Sequence, residues 1–141
     1  MDSKRTILIV GDGGVGKTNF IKNLLNDTFE RRYIPTDLIT EYETDNVKLW
    51  DYPGQIKFNV ILPSNIDLYI IMYDVTNKLS YKSINFWKQK IIETGGTNAK
   101  YIIVGNKIDL VNERKVFNDF TINVTCKNQN FTLENLLPYV S

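Results

Sequence analysis

Residues 11–18 read GDGGVGKT and match the phosphate-loop pattern G-x-x-x-x-G-K-[S/T] at every position. A strand-length apolar run at 6–10 precedes this loop, and apolar side chains recur at helical spacing over 17–26. Glycines let the backbone approach a phosphate without Cβ clashes, and the N–H groups of the loop and helix N-terminus attract anions. Lys17 can place its charge on the β- and γ-phosphates, and the Thr18 hydroxyl can bind Mg²⁺. The pattern predicts a strand, a nucleotide phosphate-binding loop and a helix; the alternative is an ordinary glycine-rich turn.

The residue types that the chain lacks exclude several kinds of chemistry. It has no histidine and one cysteine, Cys126, which excludes histidine-based catalysis, an intramolecular disulfide and a zinc site built from cysteines. A formal net charge of +1 argues against a basic nucleic-acid binder. With 141 residues, 43% of them hydrophobic, the chain fits one domain over 1–141 with a core of its own.

Strand and helix patterns alternate along the chain. We expect strands at 6–10, 38–43, 47–51, 68–74, 101–105 and 121–125, and helices at 17–26, 80–94 and 133–139. The turn-forming residues at 44–46 join the second and third strands in a hairpin. This alternation predicts an α/β fold with a mostly parallel sheet, to which the hairpin adds one antiparallel edge strand.

A second motif, Asp-Tyr-Pro-Gly-Gln at 51–55, ends the apolar strand at 47–51. An aspartate in this position can hold Mg²⁺, and a glycine three residues later can offer its N–H to a γ-phosphate. Taken alone, D-x-x-G is also a common turn. Because it follows a phosphate loop and ends a neighbouring strand, the functional interpretation of Asp51 and Gly54 is favoured.

A third motif, Asn-Lys-Ile-Asp at 106–109, follows the strand at 101–105. The Asp109 carboxylate can accept hydrogen bonds from the N1–H and N2–H₂ groups of guanine, and adenine lacks both donors. Lys107 can lay its alkyl stem over the base, and Asn106 can tie this loop to the phosphate loop. The motif therefore favours a guanine nucleotide over the rival interpretation, an ATP-dependent P-loop kinase, which leaves 106–109 unexplained.

With these three motifs in this order, the chain resembles the small GTPases of the Ras superfamily over nearly its whole length. The resemblance implies the three-layer P-loop GTPase fold with reduced helices, binding of GTP or GDP with Mg²⁺, and hydrolysis of GTP to GDP and phosphate. It makes Thr36 the switch I ligand of Mg²⁺ and the γ-phosphate, and Gln55 the residue that positions water. It also sets Phe29 edge-on against the guanine, and makes 125–127 the loop whose backbone reads guanine O6.

The candidate site residues follow from the motifs and this resemblance. Catalytic roles fall to Lys17, Thr36 and Gln55, and Mg²⁺ ligation falls to Thr18, Thr36 and Asp51. The candidate nucleotide-binding residues are Asp12, Gly13, Gly14, Val15, Gly16, Lys17, Thr18, Asn19, Phe29, Thr36, Gly54, Asn106, Lys107, Asp109, Thr125, Cys126 and Lys127.

Within the superfamily, the motif wording is most similar to the Ran branch, as in GDGGVGKTNFIK, FERRY and WDYPGQIKF. This likeness implies an activator, an exchange factor and effectors, including proteins of the nuclear-transport type. The chain departs from the family in a clipped hairpin at 36–51, in a short stretch at 109–125 and in Tyr-Pro at 52–53, where Thr-Ala is usual. The shortened segments remove partner surface more than nucleotide contacts, whereas Tyr-Pro lies in the part of the switch that must change conformation.

The sequence leaves two classes of function open. The first is a GTP-hydrolysing molecular switch that is slow without an activating partner, and the second is a nucleotide-loaded binding module or decoy with negligible hydrolysis. We expect an intracellular protein, cytoplasmic or nuclear, that is monomeric and has no lipid anchor. Single-turnover hydrolysis of GTP separates the two classes.

Overall fold

The computed structural model describes residues 4–25, 29–35, 38–54, 60–106, 122–123, 136 and 138–139. Strands and helices alternate over these residues. The strands are β1 (Arg5–Val10), β2 (Glu30–Ile34), β3 (Ile39–Glu43), β4 (Val47–Asp51), β5 (Leu68–Asp74), β6 (Tyr101–Asn106) and β7 (Ile122–Asn123). The helices are α1 (Lys17–Leu25), α2 (Lys78–Lys82) and α3 (Ile84–Gly95).

The described strands form one sheet in the order β2-β3-β4-β1-β5-β6-β7. Strand β1 lies between β4 and β5 and is parallel to both, and β6 and β7 continue in the same direction. Of the strands that the structure describes, β3 alone runs opposite to all the others, because its pairings with β2 and with β4 are both antiparallel. The α/β fold with a mostly parallel sheet is therefore confirmed.

The antiparallel strand β3 lies one position in from the edge, because β2 pairs with its outer side. The sequence pattern predicts no strand at 30–34, since the run ERRYI has three charged residues and no apolar alternation. Four of its five residues are exposed, as is usual for an edge strand. Its pairing depends on contacts with β3, which local patterns do not reveal.

One of these contacts is a charged network across three strands. Glu41 in β3 is 2% exposed and accepts a hydrogen bond from Arg32 of β2 at 3.0 Å. Its other carboxylate oxygen accepts from the indole Nε1 of Trp50 in β4 at 2.7 Å. Because a buried carboxylate needs such donors, the network fixes the register of β2, β3 and β4.

Replacing Glu41 with alanine is expected to lower the free energy of unfolding by about 1–3 kcal/mol, because the partly buried Trp50 N–H loses a charged acceptor. The matched control is Glu43→Ala in the same strand, which removes a partly exposed pair with Lys4 at 2.9 Å and should change little. Urea denaturation of both variants measures the difference. Equal losses of unfolding free energy in the two variants would contradict a structural role particular to Glu41.

The helix predicted at 80–94 begins earlier and is divided in two. Asn77 caps α2, and its side-chain oxygen accepts from the backbone N–H groups of Leu79 and Ser80 at 2.9 and 3.3 Å. Ser83 separates α2 from α3. Helix α3 ends as expected before Gly96, which has φ +81°.

The core occupies both faces of the sheet, because alternate residues of β1 point to opposite sides. Ile7 and Ile9 pack in the cluster that contains the apolar face of α1. Leu8 and Val10 pack in the cluster that contains the apolar face of α3. All seven residues of β5 are buried between these layers. None of the described helices has the length and apolar character needed to span a membrane.

Candidate functional site

The carboxyl ends of β1 and β4 lie side by side, with Ile9 opposite Asp51 in the parallel register. The phosphate loop leaves β1 at Gly11 and leads into α1 at Lys17. The motif at 11–18 and residues 51–54 of the second motif are therefore brought to one edge of the sheet, where ligands of open α/β sheets usually bind.

Gly16 is a position where the loop requires glycine. Its φ is +93°, and a Cβ atom there would overlap the side-chain amide nitrogen of Asn106. That amide donates to the Val15 carbonyl oxygen at 3.0 Å, and Asn106 is 2% exposed. Asn106 therefore ties the end of β6 to the phosphate loop, which is the contact that the sequence led us to expect.

Lys17, the first residue of α1, is a buried cation that reaches back to the phosphate loop. It is 8% exposed, and its Nζ donates to the carbonyl oxygens of Gly11 at 3.0 Å and Asp12 at 3.2 Å. Burial lowers the pKa of the ammonium, while the charges of Asp51 and Asp12 act in the opposite direction. A polyphosphate beside Nζ would stabilise this charge more strongly than neutral carbonyl groups do.

Thr18 and Asp51 meet at the same place. The Thr18 hydroxyl donates to Asp51 Oδ2 at 2.8 Å. Burial raises the pKa of the Asp51 carboxyl, against the opposing effects of the Thr18 hydrogen bond and the Lys17 charge. A hydroxyl and a carboxylate are oxygen ligands of the kind that Mg²⁺ prefers, so these residues fit a magnesium ion.

Gly54 lies directly against the phosphate loop. A Cβ atom at this position would overlap the Gly11 carbonyl oxygen and would come within 2.7 Å of Lys17 Nζ. The turn at 51–54 and the phosphate loop therefore pack without space for a side chain between them.

These groups surround a cavity of about 470 Å³, which is within the range of small-molecule sites. Its described lining consists of Gly14, Gly16, Lys17, Thr18, Asn19, Tyr33, Leu38, Thr40, Asp51, Tyr52, Pro53 and Gly54. Most of the lining comes from the loop at 11–18 and the turn at 51–54. The cavity can accept a polyphosphate beside a buried ammonium, a hydroxyl and a carboxylate.

A sequence model of the Ras family matches residues 6–134. The chain belongs to the Ras family. As a Ras-family protein it is a small GTPase, a molecular switch that binds guanine nucleotides and hydrolyses GTP. The match spans all the motifs discussed above, from the phosphate loop to the candidate guanine loop at 125–127.

Several predicted site residues of this Ras-family protein have described positions. Asp12, Gly13, Gly14, Val15, Gly16, Lys17, Thr18 and Asn19 form the loop and the start of α1, beside Asp51 and Gly54. Phe29, predicted to pack on the guanine, packs edge-on against Tyr42 with ring centroids 5.3 Å apart. Thr36, Gln55, Lys107, Asp109, Thr125, Cys126 and Lys127 lie outside the described residues, so their roles stay predictions.

The GTPase fold creates contacts around the site that sequence patterns do not predict. Tyr33, Leu38 and Thr40 line the cavity from β2, β3 and the turn between them. Ser83 and Trp87 reach Asp12 from 71 and 75 residues away. The sequence offers only one weak sign that Ser83 and Trp87 act together. They are four residues apart, which places them on one side of a helical segment.

Proposed function

We propose that this Ras-family GTPase is a Mg²⁺-dependent, Ran-like switch that forms a single domain over 1–141 and acts as a monomer. The observation that carries the nucleotide part is the convergence of Lys17, Thr18 and Asp51 at one cavity. A buried ammonium, a hydroxyl and a carboxylate in this arrangement suit a polyphosphate with a divalent cation.

Lys17 is the group that would exchange partners when a nucleotide binds. Its bonds to the Gly11 and Asp12 carbonyl oxygens, at 3.0 and 3.2 Å, would give way to bonds with charged phosphate oxygens. The charge then stays beside the phosphoryl oxygens as negative charge redistributes during transfer. The contribution of Lys17 is electrostatic, and it needs no covalent step.

Thr18, Asp51 and Thr36 are the residues that would hold Mg²⁺ in the triphosphate state. The ion, when bound, would supply positive charge that offsets the negative charge of the phosphates. Gln55 would orient the attacking water, and Gly54 would offer its N–H to the γ-phosphate. The close packing of Gly54 on the phosphate loop supports this last role.

Intrinsic hydrolysis is expected to be slow, on the order of 10⁻⁴ to 10⁻³ s⁻¹, because no arginine lies among the described cavity residues. Tyr33 lines the cavity, and the neighbouring Arg32 is paired with Glu41 at 3.0 Å. Single-turnover hydrolysis of GTP by the purified protein measures the rate. Turnover near 1 s⁻¹ would contradict this expectation, and no turnover above solution hydrolysis would favour the binding-module alternative.

The Ran-like part of the proposal is supported by the wording of the motifs, in particular FERRY at 29–33 and WDYPGQIKF at 50–58. A Ran-like role implies three kinds of partner: an activator, an exchange factor and effectors of the nuclear-transport type. It also implies a cytoplasmic or nuclear location. Purified activators of the Ran and Rab types, added separately to the GTP-loaded protein, test it. Acceleration by the Ran-type activator alone is expected, and acceleration by the Rab-type activator alone would contradict the assignment.

A further inference from the structure

The Asp12 side chain makes contacts that the phosphate-loop pattern does not require, since the pattern allows any residue at this position. Ser83 Oγ donates to Asp12 Oδ2 at 2.6 Å, and Trp87 Nε1 donates to Asp12 Oδ1 at 3.2 Å. Each carboxylate oxygen therefore has a donor from the α2–α3 segment. The 2.6 Å separation is typical of a hydroxyl that donates to a charged oxygen.

The two donors are themselves held in place. Trp87 is fully buried, and its ring packs edge-on against Phe86 and Tyr52, at centroid distances of 5.1 and 6.0 Å. Ser83 lies where α2 ends and α3 begins, and its hydroxyl is also 3.1 Å from the Leu79 carbonyl oxygen. The Asp12 carboxylate is therefore fixed to a rigid part of the fold.

The backbone of Asp12 belongs to the nucleotide site, although its side chain points to α3. Its carbonyl oxygen accepts from Lys17 Nζ at 3.2 Å. A Cβ atom at Gly54 would come within 2.6 Å of the Asp12 carbonyl carbon, so the turn at 51–54 packs on this same peptide. Trp87 also contacts Tyr52, two residues before Gly54. One segment of the fold thus supports both the phosphate loop and the turn.

We propose that Ser83 and Trp87 are positioning residues for nucleotide binding, which act by holding the Asp12 side chain and, through it, the phosphate loop. The proposal rests on the proposed nucleotide function. Neither residue lines the cavity, so both act through Asp12 and not on the nucleotide. Their hydrogen bonds keep the Asp12 carboxylate turned towards α3, away from the place where phosphate charge would repel it.

The test is the rate at which a fluorescent GDP analogue dissociates from the full chain in the presence of Mg²⁺. Ser83→Ala is expected to speed dissociation about tenfold, because a hydrogen bond to a charged group is lost. Ser83→Thr keeps a hydroxyl and should restore a rate within about threefold of the parent. In an Asp12→Ala background, Ser83→Ala should add no further acceleration, since the acceptor is already gone.

The matched control is Ser80→Ala, three residues before Ser83. Ser80 is buried and its hydroxyl bonds to the Asp74 and Asn77 carbonyl oxygens, at 3.2 and 2.8 Å. It should lower the melting temperature and leave the dissociation rate unchanged. Trp87→Phe keeps an aromatic ring but removes the N–H that donates to the other carboxylate oxygen, so it should also speed dissociation of the GDP analogue.

Three outcomes would overturn the positioning role while the parent protein still binds the GDP analogue. The first is a parental dissociation rate in both Ser83→Ala and Trp87→Phe. The second is that Ser83→Ala speeds dissociation in the Asp12→Ala background as much as it does in the parent. The third is that Ser80→Ala speeds dissociation as much as Ser83→Ala does. If the parent protein itself fails to bind the GDP analogue, the proposed function and the positioning role fall together.

Discussion

Replacing Lys17 with alanine is expected to weaken GTP binding by roughly 10²- to 10⁴-fold, and GDP binding, which loses only the β-phosphate contact, by roughly 10- to 10²-fold. The estimate corresponds to the loss of charge-assisted hydrogen bonds to the two terminal phosphates of GTP, at about 1.5–3 kcal/mol each. Lys17 is buried, and burial lowers its pKa, so the nucleotide-free fold already has to accommodate a desolvated ammonium. The melting temperature of the nucleotide-free variant distinguishes a loss of nucleotide affinity from a loss of folding.

Lys22→Ala is the matched control for this experiment. Lys22 lies in the same helix, α1, and its side chain is exposed. Its loss should leave nucleotide affinity close to that of the parent protein. Isothermal titration calorimetry of the three proteins measures the comparison. Similar affinities for Lys17→Ala and the parent would contradict the role of Lys17.

A Gly54→Ala variant is expected to reduce GTP hydrolysis at least about 100-fold, which corresponds to about 2.7 kcal/mol. The added Cβ would overlap the Gly11 carbonyl oxygen. The phosphate loop is held by Asn106 and by the contacts of Asp12, so we expect the turn at 51–54 to move outward instead. That movement takes the Gly54 N–H away from a γ-phosphate, a group that GDP lacks. Affinity for GDP should therefore change much less than the hydrolysis rate.

Gly95→Ala provides the comparison. Gly95 ends α3, and the nearest atom to a Cβ there would be Ala99 Cβ at 3.1 Å. A small shift can accommodate this contact, and alanine has the higher helix propensity. Single-turnover assays measure the rate of GTP hydrolysis by both variants. Parental hydrolysis by Gly54→Ala would show that the turn does not serve the γ-phosphate.

The elements that the sequence predicted well are those encoded by local patterns. The run at 6–10, the loop at 11–18 and the helix after it carry a complete local motif, and the structure shows β1, a loop and α1. The hairpin of β3 and β4 was predicted from its turn residues, and β5 matches its predicted bounds, 68–74, because its apolar run is continuous.

The elements that the sequence missed depend on contacts between distant residues. Strand β2 is charged and exposed, and it is held by cross-strand pairing such as Arg32 with Glu41. The start of α2 was placed too late for a local reason instead: Asn77 caps the helix through the N–H groups two and three residues on, whereas the prediction began the helix at 80. Neither feature has an apolar pattern to indicate it.

The candidate site shows the same division. The meeting of Thr18 with Asp51 follows from two local motifs, once the parallel sheet places both strand ends at one edge. The contacts of Asp12 with Ser83 and Trp87 join positions more than 70 residues apart and belong to no motif. They became visible only once the structure brought α3 beside the phosphate loop.

Calorimetric titration of the protein with GDP and ADP, each with Mg²⁺, measures directly whether the site selects guanine over adenine. We expect GDP to bind about 10⁴-fold more tightly than ADP, because only guanine offers two donors to the Asp109 carboxylate. Asp109→Ala should remove most of this preference, and Asp45→Ala, at an exposed position of the β3–β4 turn, should leave it unchanged. Equal affinities of the parent protein for GDP and ADP would contradict the claim that the chain is a guanine-nucleotide switch.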